Sequence, residues 1–231
     1  MPTKRRTIGK NGNTQDIKAI IFDLDGVLVN SEPLWERMTR MYLKKKYIHL
    51  PGDFKAYVNK HFRGTGQPAI NRYLKRHFRI KDSLKIIDRE KMQMILHLFR
   101  KHLAYSSTTH TILQKLAKKY RIALVSSGPQ STVDYVITLL RVRPFFSCIL
   151  TEKDVSEQKP SPHIFRKALK KLRVAPSDCI VVEDSFAGIT AAKRAKMKCI
   201  LLRRPYNTKW LSKADYHVKR LSQIPSLLKS I

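Results

Sequence analysis

The sequence predicts an α/β fold, a doubly wound parallel sheet interrupted by an all-helical insertion, and three observations carry the prediction. From about residue 106 to residue 202, apolar runs of strand length alternate with amphipathic runs of helix length, the pattern that βαβ units leave in a chain. An earlier apolar run, residues 19–22, reads AIIF and has the length and composition of one more buried parallel strand. Between these, residues 34–103 hold helical runs and no convincing strand.

Taken in order, residues 1–17 (MPTKRRTIGKNGNTQDI) are basic and polar without a hydrophobic stretch, which reads as a solvated tail and not a secretory leader. After the strand at 19–22, helices are expected at 35–45, 68–78 and 83–102. A Gly-rich turn, Arg63-Gly64-Thr65-Gly66-Gln67-Pro68, separates the first from the second. Beyond residue 106 the expected elements are a helix at 109–120, a strand at 122–125, a helix at 130–140, a strand at 148–150, a helix at 163–172, a strand at 179–182, a helix at 187–196 and a strand at 199–202. A chain of 231 residues with 42% apolar content has room for one sizeable core and a smaller accessory unit.

Composition excludes some functions. No apolar run is long enough to cross a bilayer. Cys148, Cys179 and Cys199 lie in or beside strand-like runs without close spacing, so they read as reduced core thiols of a cytoplasmic protein, not as a zinc site or a disulfide framework. The formal charge of +30 could mark a nucleic-acid binder. Its basic residues are spread along the chain, however, and not gathered in one aromatic-interleaved stripe, so the reading is against nucleic acid as a partner.

The chemistry gathers at strand ends. The first strand delivers Asp23 and Asp25 where open α/β sheets bind ligands, and Gly26 lets the chain turn away in a conformation that a Cβ would resist. Two carboxylates so close repel each other unless a cation lies between them, and a hard divalent ion such as Mg²⁺ relieves the repulsion. The strand at 122–125 runs into Ser126, Ser127 and Gly128, small donors suited to phosphate oxygens. Lys159 precedes Pro160 before a helix, and the strand at 179–182 ends in Glu183 and Asp184, with Gly188 permitting close packing behind them.

This set, in this order, resembles the haloacid dehalogenase superfamily of phosphotransferases. Within it the match is to the branch with a helical cap after the first motif, which includes beta-phosphoglucomutases, phosphoglycolate phosphatases and many sugar phosphatases. The resemblance implies a Rossmann-like core at 18–33 and 104–231, a cap at 34–103 and a basic tail at 1–17. It implies further that Asp23 is the nucleophile forming an aspartyl-phosphate and Asp25 the general acid and base. Ser126 and Ser127 hold the phosphoryl group, which Lys159 neutralises, and Mg²⁺ is bound by Asp23, Asp25 and Asp184 with Glu183 in the same acidic site. Gly64, Thr65 and Gln67 of the cap turn are expected to reach the substrate. Asn30, Gln158 and Lys196 depart from the family pattern without touching a catalytic atom, while Trp35 stands where the mutases carry His, which favours water over a sugar as acceptor.

The expectation is therefore a monomeric Mg²⁺-dependent phosphatase acting on a small phosphorylated metabolite, a sugar phosphate by preference, with no membrane association. A beta-phosphoglucomutase-like mutase and a basic nucleic-acid-binding protein on the same fold stand as alternatives.

Overall fold

A computed structural model describes residues 16–50, 52–62 and 66–231. Its six strands are β1 (Ala19–Phe22), β2 (Arg121–Val125), β3 (Cys148–Leu150), β4 (Cys179–Glu183), β5 (Lys198–Leu202) and β6 (Tyr216–Val218). They form one sheet in the order β3-β2-β1-β4-β5-β6 with every neighbouring pair parallel. The chain crosses from one half of the sheet to the other between β1 and β4, the switch point at which such sheets open a crevice for ligands.

Alternation along each strand fills two cores. Ile20, Phe22, Ile122, Leu124, Ile180 and Val182 point to one face, where they meet Leu113 and Leu116 of α5 (Ser107–Ala117) and Val133, Val136 and Ile137 of α6 (Gln130–Leu139). Ala19, Ile21, Val125, Val181, Cys199 and Leu201 point to the other, against Ile164, Phe165 and Ala168 of α7 (His163–Leu172) and Ile189 and Ala192 of α8 (Phe186–Arg194). Cover on both faces is why these strands read as continuous apolar runs. Each large side chain withdrawn from water contributes about 1.5–3 kcal/mol. All three cysteines are free, with Cys179 and Cys199 buried in the second core.

Between β1 and α5 the chain forms four helices, α1 (Glu32–Lys45), α2 (Phe54–His61), α3 (Gln67–His77) and α4 (Leu84–His102). Tyr42, Leu43, Phe54, Ile70, Leu74 and Ile87 make a core of their own there, while Met38, Ile95, Leu98 and Phe99 join the first sheet core. Every element expected from the sequence is present within a few residues of its expected place. Among the described residues α2, β6 and α9 (Ile224–Leu228) appear in addition, together with five short 3-10 turns, all too short to leave a periodic signal. Residues 1–15 of the expected tail lie outside the described residues, and Ile17 is already buried in the core. No helix among the described residues is long and apolar enough to cross a membrane.

Register decides what faces the crevice. Phe22 lies opposite Leu124 on one side and Val182 on the other, so the residues that follow each strand emerge at one level. Behind them, a Cβ on Gly188 would stand 1.9 Å from the Glu183 carboxyl carbon, which admits only glycine in the first turn of α8. Gly188→Ala should therefore cost about 1–3 kcal/mol of stability through overpacking, read as a lower midpoint in urea unfolding; an unchanged midpoint would contradict this packing.

Candidate active site

Strand ends bring the predicted residues together. Lys159, carried by the loop before α7, is buried and donates from Nζ to Asp23 Oδ1 at 2.6 Å and to Glu183 Oε1 at 2.6 Å. Burial alone would draw a proton off this amine, but the charges of Asp23 and Glu183 outweigh it and hold the lysine well above its ordinary value. Glu183 is saturated by donors. Its other oxygen accepts from the backbone N–H of Asp184 at 3.1 Å and of Ser185 at 3.1 Å, and from Ser185 Oγ at 3.0 Å.

Asp23 and Asp184 carry the remaining acidity. Burial, together with the charges of Glu183, Asp184 and Asp25, lifts Asp23 well above the usual carboxylate range although Lys159 pulls it down. Asp184 accepts from the hydroxyl of Tyr206, and its backbone carbonyl accepts from Asn207 Nδ2 at 2.8 Å. Arg204 reaches back to the Gly26 carbonyl through Nε at 3.0 Å and its terminal nitrogen at 2.6 Å, so the segment after β5 ties the β1 and β4 loops together. Gly26 itself has φ +82, and a Cβ there would fall 2.1 Å from Asp184 Oδ2. Glycine is thus required twice over.

Asp25 lies nearer the opening. Its Oδ1 accepts from Ser31 Oγ and, at 3.0 Å, from Trp35 Nε1. Burial raises its pKa, while these two donors, Lys159 and Ser126 oppose the rise. Of the serines at the end of β2, Ser126 turns inward and accepts from the Gly128 N–H at 2.9 Å, whereas Ser127 and Gly128 line the pocket. The Ser127 hydroxyl is buried and makes no hydrogen bond among the described residues.

Above this floor, Trp35, Thr39, Val58, Phe62, Gln67 and Ile70 form the roof of the same pocket. Gln67 is where the sequence places it, while Gly64 and Thr65 lie outside the described residues. Behind Gln67 is a residue that sequence reasoning missed. Lys91 of α4 is buried, donating to Gln67 Oε1 at 2.9 Å and Asn71 Oδ1 at 2.5 Å, and Asn71 in turn donates to Asp88 at 3.1 Å. Tyr206, Asn207 and Arg204 were missed as well, because nothing in their local pattern marks a loop that returns to the first strand.

The donor set suits a divalent cation. Asp23, Glu183 and Asp184 each offer a carboxylate oxygen within 4.8 Å of the others, all buried. Asp23, Asp25, Glu183 and Asp184 gather carboxylates at one point, where a hard divalent ion with oxygen ligands would relieve their mutual repulsion. Since both Glu183 oxygens are already engaged, Asp23 and Asp184 are the side chains placed to hold such an ion.

A comparison with protein families decides the class: the haloacid dehalogenase-like hydrolase family matches residues 20–202. The chain belongs to the haloacid dehalogenase-like hydrolases. Validoxylamine A 7'-phosphate phosphatase of Streptomyces hygroscopicus subsp. limoneus is 27% identical to this hydrolase over 90% of the chain and 95% of its own length. A phosphorylated carbohydrates phosphatase of Thermotoga maritima is 28% identical over 80% of the chain and 84% of its own. Among solved structures, CbbY from Rhodobacter sphaeroides in complex with phosphate superposes with a TM-score of 0.77 at 25% identity, covering 90% of this chain and 96% of that one. The expected class, a phosphoric monoester hydrolase of this family, agrees with relatives that carry the name phosphatase.

Burial lowers the Lys91 pKa to about 7, against a smaller opposing pull from Asp88. Above that value the folded chain has released a proton that the unfolded chain still holds, so stability should rise with pH between about 7 and the ordinary lysine value near 10.4. Lys91→Met removes the group, and the difference in unfolding free energy between wild type and variant should shift toward wild type from pH 7 to 9.5. A constant difference across that range would contradict a buried, neutralised Lys91.

Proposed function

We propose that this hydrolase is a metal-dependent phosphatase that cleaves a small phosphomonoester, a sugar phosphate by preference, through a covalent aspartyl-phosphate on Asp23. The observation that carries the reading is one buried carboxylate, Asp23, paired to Lys159 through one oxygen and set two residues before a second carboxylate, Asp25, that lines the same pocket. A nucleophile and a general acid need two carboxyl groups within reach of one phosphate ester. Support comes also from relatives named as phosphatases of phosphorylated sugars and sugar-like compounds and from a similar structure that contains phosphate.

A divalent cation, Mg²⁺ in this reading, would be held by Asp23, Asp184 and the backbone carbonyl of Asp25 and would supply positive charge to the phosphoryl oxygens. Asp23 attacks phosphorus, the bond from phosphorus to the leaving oxygen breaks with its electron pair on oxygen, and Asp25 donates the proton that makes the departing alcohol. Lys159, Ser127 Oγ and the backbone near Gly128 stabilise the charge on the transferring group. Asp25, now ionised, takes a proton from water as that water attacks phosphorus. The bond from phosphorus to Asp23 then breaks, which returns the carboxylate and releases inorganic phosphate. Glu183 acts from behind by fixing Lys159 and Ser185. In the same reading α1–α4 are a cap that closes over the crevice, with Gly64, Thr65 and Gln67 choosing the leaving group.

The test is phosphate release from a panel of sugar phosphates, glycolate phosphate and nucleotides with and without Mg²⁺. Wild-type protein should release phosphate only with the metal, and Asp23→Asn should lose activity by about 10³-fold or more while keeping its circular dichroism spectrum. Turnover that survives excess EDTA, or a folded Asp23→Asn protein that remains active, would refute the reading.

A further inference from the structure

The amino ends of the strands carry a second groove, on the edge of the sheet opposite the crevice. Its volume is about 680 Å³, within the ~300–1,000 Å³ of ordinary ligand sites. Segments that begin or precede β1, β2 and β3 line it, and backbone hydrogen bonds fix them to one another. The Lys18 carbonyl accepts from the Arg121 N–H at 3.0 Å, and the Ile122 carbonyl accepts from the Ser147 N–H at 2.7 Å.

Charge separates the two edges of the sheet. The crevice is lined by Asp23, Asp25, Glu32 and Asp184, with Lys159 as the cation among them. The groove is lined by Lys18, Lys118, Lys119, Arg121 and Arg173, with Asp16 as the carboxylate among them. Lys18 is paired with Asp178 at 2.8 Å, and Arg121 donates to the Leu172 carbonyl at 2.6 Å, which fixes the guanidinium without neutralising it. Lys118, Lys119 and Arg173 have no carboxylate partner among the described residues. A basic residue just past a helix is ordinary, because the last turn carries partial negative charge, and Lys118 and Arg173 do follow α5 and α7 in this way. Two helix ends amount to about one negative charge, however, and the groove stays positive once they, Asp16 and Asp178 are counted.

Aromatic rings stand among these cations. Tyr120, Phe145 and Phe146 are half-buried, packed on the first sheet core on one side and lining the groove on the other. Basic and aromatic residues that lie far apart in the sequence are thus gathered in one place by the fold. The fifteen residues that precede Asp16 hold Lys4, Arg5, Arg6 and Lys10 and no carboxylate. A ligand matched to this groove has repeated negative charge for the cations and free flat faces for the rings. Inorganic polyphosphate offers the charge without a stacking face, and a duplex keeps its bases stacked on one another. We infer that this groove binds single-stranded nucleic acid, with Lys118, Lys119, Arg121 and Arg173 on backbone phosphates and Tyr120, Phe145 and Phe146 as stacking faces for bases. No residue of the crevice takes part, so the inference stands apart from the phosphatase reading.

The test is fluorescence anisotropy of a labelled oligothymidylate of about 15 nucleotides, within the length that single-strand sites cover, titrated with the whole chain in EDTA. The logarithm of the binding constant should fall by about 3 per tenfold rise in salt, near 0.7 for each of four phosphates. Lys118→Gln combined with Lys119→Gln should weaken binding about tenfold and roughly halve that slope. Lys81→Gln combined with Lys85→Gln, an equal loss of charge from exposed positions at the start of α4, should change affinity by less than about twofold. Lys118 and Lys119 are exposed, and an unchanged midpoint in urea verifies that their variant is folded. An abasic strand of the same length should bind about tenfold more weakly than oligothymidylate. Equal losses in the two lysine pairs would show that overall charge alone attracts the strand and would overturn the assignment. Equal affinity for the abasic and thymidine strands would overturn it in favour of a polyanion site without stacking, and absence of binding at low salt would overturn it outright.

Discussion

One ammonium shared between two carboxylates organises this molecule. Lys159 bridges Asp23 at the end of β1 and Glu183 at the end of β4, and it can do so only because parallel register brings the two strands to the same level. Removing such a cation from a buried site leaves uncompensated charge, a loss of about 3–5 kcal/mol in comparable cases. Around the bridge, glycine appears wherever a side chain would collide with a carboxylate, Gly26 against Asp184 and Gly188 against Glu183. Core packing brings these groups into contact, and in the proposed reading the acidic cluster they form holds the cation that in turn receives phosphate.

Much of this was legible in the sequence because the chemistry sits on strand ends. A parallel strand covered on both faces announces itself as an apolar run, and the first polar residues beyond it are the ones the crevice receives. That Asp23, Asp25, Ser126, Lys159, Glu183 and Asp184 meet at the strand ends was therefore legible before any coordinates. The inward turn of Ser126 was not, since two adjacent serines look alike until the backbone assigns one to the interior. Lys91 was hidden for a different reason: on a helix rich in lysine and arginine, a single basic residue reads as surface, and only packing against Gln67 and Asn71 buries it. Arg204, Tyr206 and Asn207 act at a separation of more than 170 residues from the Gly26 loop or across an intervening strand and helix from Asp184, a long-range closure that local pattern cannot express.

The roof has a different logic from the floor. Where the floor is charged and held by ion pairs, the roof is mostly apolar, with Trp35, Val58, Phe62 and Ile70 facing the crevice and amide or hydroxyl groups from Gln67 and Thr39 among them. In the proposed reading such a surface excludes water from the reacting phosphate. The strongly basic composition acts at longer range. In the proposed reading, a chain of net charge +30 attracts phosphorylated anions within about a Debye length of its surface, toward a pocket that is locally acidic.

The central claim is that Asp23 becomes covalently phosphorylated, and rapid acid quenching during turnover followed by peptide mass spectrometry tests it directly. The account predicts one phosphoryl group on the peptide that contains Asp23, removable by hydroxylamine as an acyl phosphate and missing when Asp23→Asn protein is treated in the same way. A phosphoryl group found instead on Ser126 or Ser127, or steady turnover with no protein-bound phosphate at any quench time, would contradict it.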